Sequence, residues 1–271
     1  MPRSIFFISD GTGITAETLG RALLTQFQDL PFKQVSMPFV NDMEKLEWAI
    51  KRIERAHETD AEQPVVFCTI IQRELRERLT QCHAVVIDFF EAFTGRLEQV
   101  LGRPAAHVAG RFHGMGNAQD YGERISAVHY ALDHDDGVTT RDFEKADIIL
   151  VGVSRTGKTP VSLYLALNHG IQAANYPFSD DDFVQGGLPD RLEPFRAKLF
   201  GLTIQPDRLQ QIRQERRPNS RYADPEQVRN EIRAVEQLYR RERIPFLDVT
   251  YMSVEEIATS IIQQAGLQRR L

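Results

Sequence analysis

The sequence has few cysteines, no long apolar run and no excess of basic charge, and each lack excludes a class of protein. Its two cysteines, Cys68 and Cys82, lie beside apolar runs without a partner at zinc-ligand spacing, which predicts buried free thiols in a reducing compartment. No apolar stretch approaches the roughly 18 residues that a membrane span needs. The apolar run at 5–9 is too short for a signal peptide and is followed by Asp10. We therefore expect a soluble, cytoplasmic protein that does not bind membranes.

The charge balance also argues against nucleic acid as a partner. The net charge is −5 and the pI about 5.9, whereas proteins that bind nucleic acid usually carry a basic footprint. With 271 residues, of which 42% are hydrophobic and 26% charged, the chain has the composition of a globular protein. Such a length predicts one large or two modest domains, with a core that needs no disulfide or metal to hold it together.

Strand-like and helix-like patterns alternate along the first hundred residues. Short apolar runs at 5–9, 35–40, 64–70 and 84–89 are separated by helical stripes, the clearest of which has apolar residues three and four apart between 43 and 53. This alternation predicts a parallel sheet covered by helices, hence an α/β fold with an N-terminal Rossmann-like domain at 1–101.

Residues 102–120 interrupt this rhythm with several glycines and Pro104, which indicates a linker or a substrate-facing loop. A helix is predicted from about 121 to 133, and a buried strand over 146–153. Further on, Asp224 precedes a first-turn proline, and Ser253 with Glu256 forms a capping-box pair. Residues 102–271 are therefore predicted to form a second α/β domain.

One segment of this second half matches a chemical motif at every fixed position. It follows the predicted strand and fits the pattern G-x-x-x-x-G-K-[ST], whose glycines let successive backbone N–H groups point at phosphate oxygens. In this motif the lysine contacts the outer phosphates and the hydroxyl residue contacts magnesium. The predicted nucleotide-binding residues are Gly152, Val153, Ser154, Arg155, Thr156, Gly157, Lys158 and Thr159, with Lys158 catalytic and Thr159 the metal contact.

Four other features permit two interpretations each. The loop from Ser9 to Gly13 could hold a phosphate or a metal ligand, or be a plain tight turn. Asp88 could be a magnesium-site aspartate or an acid that ends an apolar strand. The cluster His129, His134, Asp135 and Asp136 could orient an acceptor hydroxyl and hold metal, or be a solvated helix end. An arginine-rich stretch could close over the transferring phosphoryl group or be a solvated face; it contains Arg208, Arg213, Arg216, Arg217 and Arg221.

The sequence resembles one family nearly end to end. The resemblance is carried by four segments, 8–18, 129–137, 152–162 and 175–178. The chain is similar to the bacterial regulatory proteins of phosphoenolpyruvate synthase and their relatives that regulate pyruvate, phosphate dikinase. The sequence of residues 9–18 looks closer to that of the synthase regulators than to that of the phosphate dikinase regulators. The strand-like stretch 246–250 and the capped helix after it resemble the end of small P-loop kinases, which favours a P-loop kinase-like domain in the second half.

The resemblance implies a bifunctional serine/threonine kinase and phosphorylase. It would phosphorylate a threonine of phosphoenolpyruvate synthase with ADP, releasing AMP and switching the synthase off, with Mg²⁺ as the expected metal cofactor. It would remove that phosphate with inorganic phosphate as acceptor, forming pyrophosphate. Two alternatives stay open: a P-loop kinase for a small metabolite, and a nucleotide-gated interaction protein without chemistry. The oligomeric state, a homo-oligomer included, is also open.

Overall fold

A computed structural model describes residues 2–27, 30–106, 118–135, 141–184 and 187–268. The chain divides into two compact units, residues 1–114 and 115–271. We place the predicted boundary after residue 101, and the stretch 107–117 lies outside the described residues, so the exact boundary stays a prediction. Both units are α/β, as the sequence predicts.

The first unit is built on a four-stranded parallel sheet in the order β2-β1-β3-β4. Its strands are β1 (Arg3–Ser9), β2 (Phe32–Met37), β3 (Val65–Thr69) and β4 (Val85–Asp88). Its helices are α1 (Ile14–Leu24), α2 (Met43–Thr59), α3 (Arg73–Leu79) and α4 (Phe89–Leu101).

Alternating side chains of β1 form a core on each face of this sheet. Ile5 and Phe7 pack with Phe89 of α4 and with α1 on one face, while Phe6 and Ile8 pack with α2 and α3 on the other. Because helices cover both faces of the sheet, β1 and β3 carry apolar side chains on both faces.

The second unit repeats the same strand arrangement, with a parallel sheet in the order β6-β5-β7-β8. Its strands are β5 (Ile148–Gly152), β6 (Ala173–Pro177), β7 (Leu199–Thr203) and β8 (Phe246–Asp248). Its helices are α5 (Ala118–Asp133), α6 (Lys158–His169), α7 (Asp180–Val184), α8 (Pro206–Arg216), α9 (Pro225–Glu242) and α10 (Val254–Ala265).

The capping signals of the second unit are confirmed. The carboxylate of Asp224 accepts hydrogen bonds from the N–H groups of residues 226 and 227 at the start of α9. Ser253 and Glu256 form both hydrogen bonds of a capping box, and Gly266 ends α10 in the left-handed conformation. The loop predicted to run to residue 120 is wrong in its last part, because α5 begins at Ala118.

Both cysteines are buried and free, as predicted. Burial raises the pKa of the Cys68 thiol to about 12 and also raises the pKa of Cys82. Among the helices that the structure describes, none combines the length and the apolar character needed to cross a membrane.

Candidate active site

The predicted phosphate loop connects β5 to α6 at the carboxyl edge of the second sheet. In the order β6-β5-β7-β8, the chain leaves β5 toward one neighbour and later returns on its other side to form β7. Ligands of open α/β sheets bind where the strand order reverses in this way. Helix α6 also directs the positive end of its dipole toward the loop.

Two glycines of the loop are required by its backbone. A Cβ atom added to Gly152 would lie 2.6 Å from the carbonyl oxygen of Leu202 on β7, so no larger residue fits there without a shift. Gly157 has a φ of 84° immediately before α6, a left-handed conformation that glycine adopts readily. Arg155 also has a positive φ, of 78°, although its side chain makes that conformation unfavourable.

The backbone between these glycines presents donors. Within the described residues, the N–H groups of residues 154–157 donate to no protein acceptor. Backbone N–H groups are strong donors that folded proteins usually satisfy. Four consecutive N–H groups next to a helix N-terminus are an arrangement that can bind an anion such as a diphosphate.

Lys158 and Thr156 both donate to the carbonyl oxygen of Val153. The ammonium Nζ of Lys158 lies 3.0 Å from that oxygen and the Thr156 hydroxyl 3.1 Å from it. Lys158 is only 4% exposed, so its charge is held within the loop. This arrangement keeps the ammonium beside the N–H groups that would contact phosphate.

Thr159 lies in a polar cluster with Asp135 and Asn175. Its hydroxyl donates to Oδ1 of Asp135 at 2.7 Å. The amide Nδ2 of Asn175 donates to the same carboxylate oxygen and lies 3.4 Å from the Thr159 hydroxyl. Hydroxyl and carboxylate oxygens are the ligands that Mg²⁺ prefers, so this donor set fits a magnesium ion beside the phosphates.

Asp135 is positioned by the histidine before it. The ring of His134 lies between two carbonyl oxygens, with Nδ1 2.8 Å from that of Tyr130 and Nε2 2.8 Å from that of Arg141. The backbone N–H of Asn175 donates to the carbonyl of His134 at 3.1 Å. His134 therefore joins the end of α5 to residue 141 and to β6. These hydrogen bonds fix the position of the backbone of Asp135.

The remaining candidates, the rest of this cluster and the separate candidate Asp88, do not join the polar cluster around Thr159 within the described residues. His129 is exposed on α5. Asp136 lies outside the described residues, so its catalytic role stays a prediction. Asp88 caps α4, because its Oδ1 accepts from the N–H groups of Phe90 and Glu91 at 2.9 and 3.0 Å.

Arg213 of the arginine-rich stretch fits neither interpretation offered for it. It is 1% exposed, and its guanidinium donates to Glu231 at 2.7 Å and to the carbonyl of Ser154 at 3.2 Å. It also lies over the ring of Tyr222, whose hydroxyl is 2.9 Å from the Ser154 hydroxyl. Arg213 thus supports the phosphate loop through the backbone of Ser154. The other arginines of the stretch are exposed: Arg208, Arg216, Arg217 and Arg221.

Tyr239 is a structural support that the sequence did not single out. It is fully buried on α9, and its hydroxyl lies 2.9 Å from the carbonyl of Val151 and 3.3 Å from that of Leu202. Burial raises its pKa well above the ordinary value. In the sequence, Tyr239 lies in the apolar stripe of α9, where most residues are aliphatic and carry no hydroxyl. A tyrosine at such a core position was the sequence signal for this support.

Asp182 forms a second buried polar network in this unit. Its carboxylate accepts from the Tyr176 hydroxyl at 2.8 Å, from Ser179 N–H at 2.9 Å and from the Arg191 guanidinium at 2.8 Å. Burial acts to raise the pKa of Asp182, but these hydrogen bonds outweigh it and the pKa is lowered. The network ties the segment after β6 to Arg191.

Comparison with known proteins identifies the group to which these features belong. A family model described as "Kinase/pyrophosphorylase" matches residues 5–262. A protein of Legionella pneumophila (strain Lens) is 49% identical over 271 residues, covering 100% of both chains. One of Marinobacter nauticus is 49% identical over 269 residues, covering 99% of both. Each carries the name "Putative phosphoenolpyruvate synthase regulatory protein". The chain therefore belongs to the kinase/pyrophosphorylase family.

Proposed function

We propose that this protein regulates phosphoenolpyruvate synthase by two opposed phosphoryl transfers. In one, a threonine hydroxyl of the synthase attacks the outer phosphoryl group of ADP, AMP leaves, and the synthase is inactivated. In the other, inorganic phosphate attacks the phosphothreonine, the threonine hydroxyl is restored, and pyrophosphate leaves. The observation that carries the proposal is the loop 152–159, with its unpaired N–H donors and buried lysine. The names of the relatives supply the target.

Each predicted residue then has a chemical role. The N–H groups of the loop would hold the diphosphate of ADP, and Lys158 would offset the charge on its outer phosphoryl group. Thr159 and Asp135 would hold Mg²⁺, whose charge assists the transfer. Asp135 or Asp136 would orient the threonine hydroxyl and accept its proton.

A single loop suffices for both directions because the donor of the first transfer and the product of the second both contain a diphosphate. Pyrophosphate is the diphosphate of ADP without its adenosine, so a site built for a diphosphate can hold either. The direction of transfer would follow from which anion fills the leaving side and from the phosphorylation state of the synthase.

A second candidate is a P-loop kinase for a small metabolite. The observation in its favour is the end of the chain, where β8 is followed by the capped helix α10, an arrangement similar to that of small P-loop kinases. In that case the phosphoryl group would appear on a small molecule.

The decisive experiment incubates the protein with purified phosphoenolpyruvate synthase, Mg²⁺ and ADP labelled in its β-phosphate. We expect label on a synthase threonine, AMP in equal amount, and loss of synthase activity. Adding inorganic phosphate should then release labelled pyrophosphate and restore the activity. Label on a small molecule in a metabolite extract, with none on the synthase, would favour the second candidate. No turnover of ADP with either acceptor would contradict both.

A further inference from the structure

The first unit has a small cavity between β1, β2 and the last turns of α2, toward the edge of the sheet where its strands begin. The volume is about 200 Å³, below the roughly 300–1,000 Å³ that is typical of sites for larger organic ligands. A small ion therefore fits this cavity better than a nucleotide does. We propose that it is an anion site, in the unit that does not contain the phosphate loop, and that it binds a small tetrahedral dianion of the phosphate class.

Three cationic side chains line the cavity without an anionic partner. Lys33 lies on β2, and Arg52 and Arg55 lie about one turn apart on α2. Within the part of the chain that the structure describes, none of these side chains forms an ion pair or a hydrogen bond. The acids Glu47 and Glu54 of the same helix each contact a different basic side chain. The three cations are thus left for a ligand.

A buried hydroxyl on the cavity wall supplies an independent argument. Ser4 lies opposite Lys33 in the register of β1 and β2, and it is only 2% exposed. Its side chain is on the same face of the sheet as Phe6, which packs with α2. Among the described residues its hydroxyl has no hydrogen-bond partner. Buried polar groups are usually hydrogen-bonded, so this hydroxyl is placed to donate to an oxygen of the ligand.

The negative groups around the cavity do not cancel its positive charge. The carboxylate of Asp60 lines the cavity and accepts from the N–H of Ser4 at 2.8 Å. The carboxyl end of α2 contributes roughly half a negative charge from the helix dipole. Set against three cations, these two leave a net charge of about +1.5, which suits a dianion.

Arg52 is held in place by an aromatic ring. Its guanidinium carbon lies 5.0 Å from the centroid of the Trp48 ring, a cation–π contact that orients the side chain and leaves its charge intact. A guanidinium group presents a planar fork of donors that matches two oxygens of an oxyanion. Trp48 is the only tryptophan in the sequence and is 54% exposed. Its fluorescence therefore reports on the surroundings of this cavity.

The test titrates the full chain with inorganic phosphate, keeps the ionic strength constant with sodium chloride, and follows the fluorescence of Trp48. We expect a saturable change with a dissociation constant in the millimolar range. Arg55→Gln and Lys33→Gln should each weaken phosphate binding about fivefold, because each removes one charge-assisted contact. Lys51→Gln makes the same charge change at an exposed position of α2 that does not line the cavity, and it should leave the affinity within twofold.

A second comparison tests the buried hydroxyl, and a second readout covers a tryptophan signal that does not respond. Ser4→Ala should weaken phosphate binding about threefold, whereas Ser36→Ala, at an exposed position of β2, should not. Amide NMR signals of Ser4 and Thr59 should shift with the same affinity as the fluorescence.

Three results would each overturn the proposal. The first is that neither the fluorescence nor the amide signals change at millimolar phosphate. The second is that chloride produces the same change as phosphate. The third is that Arg55→Gln and Lys51→Gln have equal affinity for phosphate. None of these readouts depends on ADP turnover or on the synthase.

Discussion

At the scale of single residues, Lys158 makes the sharpest prediction. Lys158→Ala should weaken ADP binding by about 1–3 kcal/mol, roughly fivefold to 150-fold, because it removes a charge-assisted contact to phosphate. Titration calorimetry measures this directly. Lys145→Ala is the matched control, since Lys145 is 61% exposed and forms an ion pair with Asp142, three residues before it. Equal ADP affinity in the two variants would contradict the assigned role.

Asp135 makes a second prediction at this scale. Asp135→Asn should abolish phosphoryl transfer and the Mg²⁺ dependence of ADP binding, while leaving the melting temperature nearly unchanged. The asparagine oxygen can still accept from Thr159, so the local hydrogen bonding survives while the charge is lost. Asp133→Asn, at an exposed position on α5, is the control. A large fall in melting temperature would instead assign Asp135 a structural role. Asp136→Asn should also lose turnover and keep its melting temperature.

At the scale of elements, α9 supports the phosphate loop through one hydroxyl. Tyr239→Phe removes hydrogen bonds to the ends of β5 and β7 and leaves two buried carbonyls with one partner fewer. We expect a loss of about 1–2 kcal/mol in the free energy of unfolding, measured by urea denaturation. Tyr251→Phe, at a residue that is 86% exposed, should change it by less than about 0.5 kcal/mol.

The network after β6 makes a prediction about pH. The lowered pKa of Asp182, below its ordinary 3.8, means that folding favours the charged carboxylate. Its stabilising contribution is therefore complete above about pH 4 and is lost as the pH falls through the lowered pKa. Asp182→Asn should destabilise the protein at neutral pH and should also flatten the fall in stability on acidification. Asp181→Asn, at the exposed neighbour, should keep the steep fall of the original protein.

At the scale of the whole molecule, the two activities should share one loop. Lys158→Ala should abolish both ADP-dependent phosphorylation and phosphate-dependent dephosphorylation of the synthase. Asp10→Ala, in the loop of the first unit, should leave both activities intact, because the shared loop lies in the second unit. Loss of only the first activity in Lys158→Ala and only the second in Asp10→Ala would show two separate centres. Both activities are read from radiolabel on the synthase.

Much of the fold could be predicted, because local signals and tertiary packing agree. The alternation of strands and helices, the capping box of α10 and the glycine motif each rest on neighbours in sequence. What could not be predicted depends on residues far apart. In the sequence, Arg213 belongs to a charged stretch that is typical of a surface. Its burial depends on contacts with Glu231 and Tyr222, which the structure brings beside it. Asn175 joins Asp135 and Thr159 across 40 and 16 residues, a distance that no local pattern conveys.

The hydrogen bond from Lys158 to Val153 bears on how the nucleotide leaves. A buried ammonium that lost its phosphate partner would be strongly destabilised if nothing replaced it. Here the carbonyl oxygen of Val153 lies 3.0 Å from Nζ of Lys158 and can accept a hydrogen bond from the ammonium as the product departs. On the proposed mechanism, release of AMP or pyrophosphate would exchange a charged acceptor for a neutral carbonyl and leave the ammonium hydrogen-bonded. The arrangement seen in the structure would then be the one that the loop adopts between cycles.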